Sequence, residues 1–335
     1  MIRFNFKMKN LCSLFILCVI SFLGNTDLYS QDIWTAENSP YYINSDTIVS
    51  NLKIEAGVEV LFIDNYSFTV DGEFQAIGAQ YDSIYFKPAP GNLNGWKGIN
   101  FNSSSTGIKL DFCSISGGSS HGISVNTGKV FINNTVVFNN SGRGLSATSG
   151  EITVVNSVSK GNGSYGLYLG SNAKANVYSL RICKNNNHGV NSTGGTLIAY
   201  NSIFDHNTGF GLNTNDGTFI LENVVVAYNS IGLVSGTGKV NISNSIFFHN
   251  STNSVTSLPD STSISYSDIE IPSGVVSGIG NKNEVPQFVD DDFKLSINSP
   301  CLDYGNPGML YNDIYYPPSQ KTSRNDMGAY GGPFA

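Results

Sequence analysis

Charge is scarce in this chain. Asp, Glu, Lys and Arg make up 13% of its 335 residues, about half the usual share of a soluble domain. The 18 basic residues are outnumbered by 25 acidic ones, for a net charge of −7. That balance excludes nucleic acid or an anionic membrane as an electrostatic partner. Cysteine is equally thin. Cys12 and Cys18 lie near the N-terminus, leaving Cys113, Cys183 and Cys301, an odd and widely spread set that makes a poor disulfide framework. Cys113 and Cys183 sit inside strand-like text and are expected to be buried apolar thiols rather than metal ligands or a bridge. The one long apolar run, Leu11 to Leu23, falls short of the roughly 20 residues a membrane span needs. Beyond it no stretch of useful length carries a 3.6-residue apolar period, so no helical domain is expected.

What the chain does have is glycine, asparagine and a period. Gly122-Ile123, Gly144-Leu145, Gly166-Leu167, Gly189-Val190, Gly211-Leu212, Gly232-Leu233 and Ser254-Val255 recur at spacings of 22, 22, 23, 22, 21 and 22. Six residues after the opening glycine comes another (Gly128, Gly150, Gly195, Gly217, Gly238), with Ala173 as the exception. Twelve residues on comes asparagine (Asn134, Asn156, Asn201, Asn223, Asn244), with Ser179 as the exception. Eighteen on comes a second asparagine: Asn140, Asn162, Asn185, Asn207, Asn229 and Asn250, with Asn185 one residue late. A period of this size signals a solenoid whose units bury their apolar faces against their neighbours.

Between these positions the text alternates with period 2, β-branched and bounded by Gly or Asn, as short strands do. The first run places Ile123/Val125, Leu145/Ala147, Leu167/Leu169 and Leu212/Thr214 on one face. The second places Val130/Ile132, Ile152/Val154, Phe219/Leu221 and Val240/Ile242. The third is apolar on both faces. Taking Val137, Ile182, Phe204, Val226 and Phe247 as inward leaves Arg181 outside. Three strands per 22 residues at constant phase form one triangular coil, each strand pairing with its equivalent about 4.8 Å away. The predicted fold is an all-β parallel β-helix of roughly ten coils. Glycine suits its corners because φ > 0 costs it little, and asparagine follows. Stacked asparagines are also expected to pass amide hydrogen bonds from coil to coil.

Arg3, Lys7 and Lys9, the apolar run, and Leu28-Tyr29-Ser30-Gln31 follow the order of a secretory signal peptide, with cleavage near Ser30 or Gln31. Neither Cys12 nor Cys18 is preceded by the small residues of a lipoprotein signal. Residues 1–30 hold three basic residues and one acidic; without them 15 basic and 24 acidic remain, a net charge of −9. The expected organisation is a signal peptide over 1–30, N-terminal opening coils over 31–101, regular repeats over 102–284 and a folded-back closing segment over 285–335 that covers the end of the solenoid.

The opening text "LKIEAGVEVLF … DGEFQAIG … IYFKPA … GWKGINF" and the closing text "PQFVDDDFKLSINSPCLDYGNP … RNDMGAYGGP" resemble the secreted right-handed parallel β-helix repeat proteins of the pectin-lyase-like superfamily. The resemblance covers residues 39–333 and implies the right-handed winding. That group holds polysaccharide lyases, glycoside hydrolases, epimerases and adhesins, so the fold does not decide the function. In its enzymes the first-strand face usually carries the active site, as paired acids or as an acidic calcium cluster with a basic proton abstractor.

Two and four residues after each opening glycine, the first strand is expected to face solvent. The residues there are Ser124/Asn126, Ser146/Thr148, Tyr168/Gly170, Asn191/Thr193, Asn213/Asn215 and Val234/Gly236, none of them ionisable. Glycoside chemistry needs a positioned carboxylate pair, which this face does not supply. Ser120-His121-Gly122 and Asn187-His188-Gly189 resemble a His-Gly element of the polygalacturonase-type hydrolases, but its accompanying aspartates and Arg-x-Lys element are missing; both histidines read as corner residues. His206, Tyr228 and His249 share one repeat position beside Asp205, with the histidines two coils apart, about 10 Å, too far to share a metal ion. Asp290-Asp291-Asp292 offers oxygen ligands of the kind calcium takes and otherwise reads as a solvated turn. Asp303 and Asp326 are expected to hold the closing segment by hydrogen bonds.

The sequence therefore predicts a secreted protein at the cell surface, in the medium or in the periplasm, monomeric and without a cofactor. Its expected role is non-catalytic association with a neutral polysaccharide or a cell-surface component, through Asn126, Tyr168, Asn191, Asn213 and Asn215. The competing reading is a polysaccharide lyase or glycoside hydrolase with acids from the opening coils, Asp64, Asp71 and Asp82. A third is a structural or adhesive surface protein.

Overall fold

Each opening glycine lies in or beside a strand, and the strands come in threes. His121–Val125, Lys129–Asn133 and Val136–Phe138 make one coil. Arg143–Ala147, Glu151–Val155 and Val158–Lys160 make the next. Equivalent strands pair in parallel, Ile123 with Leu145, Val130 with Ile152 and Val137 with Ser159. The computed structural model describes residues 31–102 and 107–335, so the signal-peptide stretch 1–30 lies outside the described residues. First and second strands run together in one sheet of 19 strands, and the third strands form a separate sheet of 11. The result is a right-handed parallel β-solenoid of about 11 turns. Among the described residues, the only helical segments are the 3-10 turns Ala36–Asn38 and Met309–Tyr311, and no helix is long and apolar enough to cross a membrane.

The interior is filled as the alternation requires. Ile123, Leu145, Leu167, Leu212, Val130, Ile152, Phe219 and Val240 are buried, as are Val137, Ile182, Phe204, Val226 and Phe247. The polar Thr214 joins them because its Oγ1 accepts the Gly217 N–H at 2.9 Å. The opening coils use aromatics instead: Phe62 stacks on Trp96 at 3.9 Å, and the Trp96 indole N–H reaches the Ser116 carbonyl at 2.8 Å. Cys113, Cys183 and Cys301 are buried and free.

Two repeat positions have different causes from those the sequence suggested. The opening glycines are not left-handed. A Cβ on Gly144 would lie 2.5 Å from the Asn162 amide nitrogen, so glycine is required by the asparagine ladder passing against it. Likewise a Cβ on Gly238 would sit 2.2 Å from the Gly217 carbonyl of the coil above. Left-handed corners fall instead at the asparagines twelve residues on, where Asn134, Asn156, Asn201, Asn223 and Asn244 have φ between +46° and +51° and Ser179 has +49°, and after the third strand, where Asn139, Gly161, Lys184, His206, Tyr228 and His249 have φ between +50° and +62°.

The two asparagine columns also divide the work. In the inner column Asn140 donates to Asn162, Asn162 to Asn185 and Asn185 to Asn207, each at 2.9 Å. Asn207 donates to Asn229 at 3.0 Å and Asn229 to Asn250 at 3.2 Å. The same acceptor oxygens take the backbone N–H groups of the coil above. This is the expected amide relay. The corner column stacks in register but passes no amide bonds along itself. Asn201 donates instead to the carbonyls of Ala329 and Gly331, and Asn223 to those of Asp326 and Gly328.

Those carbonyls belong to the closing segment, which does fold back, but along the side of the solenoid. The outward residues Ile203, Val225, Ala227, Ile246 and Phe248 of the third strands are buried beneath Phe293, Leu295, Cys301, Leu302, Met327 and Ala329. That cover is why the third strand is apolar on both faces. At the C-terminal end of the coils, Leu258, Ile271 and Val276 pack against the core instead.

Candidate functional site: the first-strand face

Register builds the face. Asn100, Ser124, Ser146, Tyr168, Asn191, Asn213 and Val234 follow one another directly from coil to coil. The Asn213 amide donates to Asn191 Oδ1 at 2.7 Å, and the Tyr168 hydroxyl is 3.4 Å from Thr193 Oγ1. One step along the strand, Asn126 donates to Asn102 Oδ1 at 2.7 Å and receives the Ser124 hydroxyl at 3.1 Å and that of Thr148 at 3.3 Å. Asn215 is exposed at the end of its strand. Asn126, Tyr168, Asn191, Asn213 and Asn215 thus lie on one continuous outer face.

A third column on that face was not anticipated. The residue before each opening glycine also points outward: His121, Arg143, Tyr165, His188, Phe210 and Ile231. His121 and Arg143 are in register, as are Phe210 and Ile231. Tyr165 stacks on His188 at 5.6 Å and His188 on Phe210 at 4.4 Å, each pair within 13° of parallel. Tyr165 also stacks on Tyr168 at 6.2 Å. The Phe210 backbone N–H donates to His188 Nδ1 at 2.9 Å, which places the ring proton on Nε2. Burial lowers the His188 pKa, so the imidazole sits in the stack as a neutral ring.

Arg143 changes the electrostatics expected here. Its guanidinium lies 3.7 Å from the Tyr168 ring centroid and 3.4 Å from the Ser146 hydroxyl. The twelve residues named from sequence are neutral, but the face is not: Arg143 sets a fixed positive charge among them, and Lys97, paired with Asp46, stands one coil before His121 in the same column. Burial first, and Arg143 second, push the His121 pKa down to about 4. One side of the Tyr168 ring is therefore covered rather than open. The spacing signal for this column is present, since these residues precede the glycines at the same period, but of the six only His121 and His188 stand out in the sequence, as corner histidines. From the coil of His121 onward no Asp or Glu occupies any of the three outward columns among the described residues; two coils before it, Asp71 stands exposed in the Asn126 column, beyond Asn102.

The other candidates disperse. His206 stacks on Tyr228 at 4.9 Å and Tyr228 on His249 at 5.2 Å, so a tyrosine separates the two histidines. Asp205 is fully buried, held by Arg181 through two bonds of 2.9 Å and by His206 Nδ1 at 2.7 Å. Asp292 pairs with Arg181 at 2.8 Å and the Asp291 carbonyl accepts from it at 2.9 Å, while Asp290 pairs with Lys294. That run is a clamp on the solenoid wall rather than a merely solvated turn. Asp326 accepts the Asp303 N–H at 2.8 Å and the Gln320 N–H at 2.9 Å, the bracing role expected of it.

Asp64, Asp71 and Asp82 do not meet. Asp64 follows the third strand Glu59–Phe62, Asp71 lies at the bend of Phe68–Ile77, and Asp82 is in the turn before Ile84–Pro88. They stand at three different corners of one coil, each separated by a strand about 10–16 Å long, beyond the spacing at which two carboxylates flank a glycosidic bond. No cluster of three or more His, Cys, Asp or Glu is arranged to hold a metal ion among the described residues.

Residues 97–247 match the family described as the right handed beta helix region. No curated protein matches the chain by sequence at a significant level. Among solved structures the chain is similar to pectate lyase Pel9A, with 14% identity, a TM-score of 0.58, and 90% of this chain and 86% of that one covered. A likeness to the A-module of the Azotobacter vinelandii mannuronan C-5 epimerase AlgE4 is looser: 13% identity, a TM-score of 0.39, and coverage of 75% and 80%. The chain has the right-handed parallel β-solenoid fold.

Proposed function

We propose that this is a secreted, non-catalytic glycan-associated protein that holds a polysaccharide strand along its first-strand face. The observation that carries the reading is the pairing of two parallel rails without a carboxylate. One is polar, Asn126, Thr148, Asn191, Asn213 and Asn215, offering amides and a hydroxyl to sugar hydroxyls. The other is the stack Tyr165, His188 and Phe210 with Ile231, offering apolar surface to sugar C–H groups. The fold shared with a pectate lyase supports a polysaccharide as the ligand class. Neutral glycan suits the run from Tyr168 to Asn215, and Arg143 adds a single site for an anionic substituent at one end. The reading requires no cofactor and a monomeric chain. Export rests on the signal-like text of residues 1–30.

Purified residues 31–335 applied to a panel of immobilised neutral and acidic polysaccharides test this. Retention without release of unsaturated or reducing ends supports it. Cleavage abolished by changing Asp64, Asp71 or Asp82 would make the protein an enzyme. Failure to retain any glycan would leave the structural or adhesive reading.

A further inference from the structure

The closing segment reveals what the outer face of the third strands accepts. Val136, Val158, Arg181, Ile203, Val225 and Ile246 are register partners from coil to coil. The last three are covered by the closing segment. Beside them the corner amides of Asn201 and Asn223 grip its backbone carbonyls at 2.7–3.1 Å. The cover stops at Arg181, which Asp205 and Asp292 hold. On the uncovered side the same wall continues with Val158, Val136 and Phe138, all half-buried. The same corner continues with Asn156, at φ +46° like its covered equivalents. Asn156 is exposed, and its side-chain amide bonds no described residue. A groove of about 410 Å³ runs here between Asn156, Val158 and Leu180 on the wall and Tyr330 and Pro318 on the rim.

We propose that this uncovered track is a docking site for a glycine-containing turn segment from another protein. That segment is held as the chain holds its own residues 325–331, which bend through a left-handed Gly328 into a turn closed by the Gly331 N–H on the Gly328 carbonyl, with carbonyls on Asn156 and apolar side chains on Val158 and Val136. The argument is continuity with the interface the closing segment already makes, in register and in chemistry. Donor amides at left-handed corners recognise backbone rather than side chains, so the occupant is defined by a turn that presents consecutive carbonyls and by small apolar residues beside them. Charge refines it. Lys160 and Lys184 border the track, exposed and unpaired with any described acid, which favours a segment bearing a carboxylate.

The chain's own Asn325–Gly332 sequence has the required chemistry, so a synthetic peptide of that sequence is the probe. Its binding to purified residues 31–335 is followed by fluorescence anisotropy. Saturable binding, weakened at least about tenfold by Val158→Asp and also by Asn156→Ala, supports the proposal. Asn156 is exposed, so its truncation keeps the test sound if Val158→Asp fails to fold. Tyr168→Ala, on the opposite rails, leaves binding unchanged. Absent binding, or binding indifferent to both wall substitutions, overturns the proposal. Self-association of the protein lost in Asn156→Ala would overturn it too, by assigning the track to a second copy.

Discussion

The Arg143 guanidinium lies 3.7 Å from the Tyr168 ring centroid, so the fixed charge beside the rails also shields their most obvious sugar platform. Two effects then compete in any glycan complex. The neutral rails contribute hydrogen bonds and contact that salt hardly touches, while Arg143 contributes an attraction that salt screens. For a neutral glycan, retention is expected to change by less than about twofold across the screening range. For an acidic glycan, any retention is expected to fall with salt, and Arg143→Gln to abolish that dependence. Affinity electrophoresis at graded salt distinguishes the two.

The inner asparagine ladder is expected to carry more stability than the corner column. Replacing Asn185 with Leu removes the acceptor shared by the Asn162 backbone N–H and the Asn162 side-chain amide in the core, at a cost of about 1–3 kcal/mol for each buried group left unpaired. Asn201→Leu instead frees the carbonyls of Ala329 and Gly331 at the rim of a groove. It is expected to cost the lower end of that range and to expose the closing segment to protease. Urea unfolding paired with limited proteolysis reads both.

Phe204 is fully buried with Val226 below it in register. Phe204→Ala is expected to destabilise by roughly 3–5 kcal/mol through lost burial and the cavity left behind. An unfolding midpoint indistinguishable from the parent would contradict the phase of the third strand.

The closing segment gives stability a pH dependence that extends up to neutrality and levels off beyond it. Burial is the main cause that raises Asp313 to about 7 and Asp326 to about 6. A carboxyl with a raised pKa binds protons more readily folded than unfolded, so stability falls as pH rises through the folded value. His121 and His188, lowered mainly by burial, act oppositely, but only below the ordinary histidine pKa of about 6.5. The urea midpoint is therefore expected to drop between about pH 6.5 and 8, and Asp313→Asn to flatten that limb. A flat parent profile there would refute the assignment.

The solenoid was legible because its causes are local and repeat. A glycine before an aliphatic residue, alternation within five residues and an asparagine every coil name the strands. Arg181 alone fixed the phase of the third strand, since a guanidinium does not belong in that core. What failed to appear depends on contacts far apart in sequence. Asn223 binds Asp326 and Gly328, and nothing near Asn223 announces them. The purpose of the opening glycines was hidden similarly, because the asparagine amide they make room for sits at the corner after the third strand. The rail of Tyr165, His188 and Phe210 is a different case. Its period was visible, but a residue beside a corner glycine gives no local sign of which way it points.

The central claim is that the two rails hold a glycan without cutting it. Retention of purified residues 31–335 on an immobilised polysaccharide panel tests it most directly, scored with release of sugar ends and repeated for Tyr168→Ala, Asn191→Ala and Phe210→Ala. The account predicts retention on at least one neutral glycan, no release, and weaker retention in all three variants. No retention on any glycan, retention unchanged in all three variants, or release of unsaturated or reducing ends would contradict it.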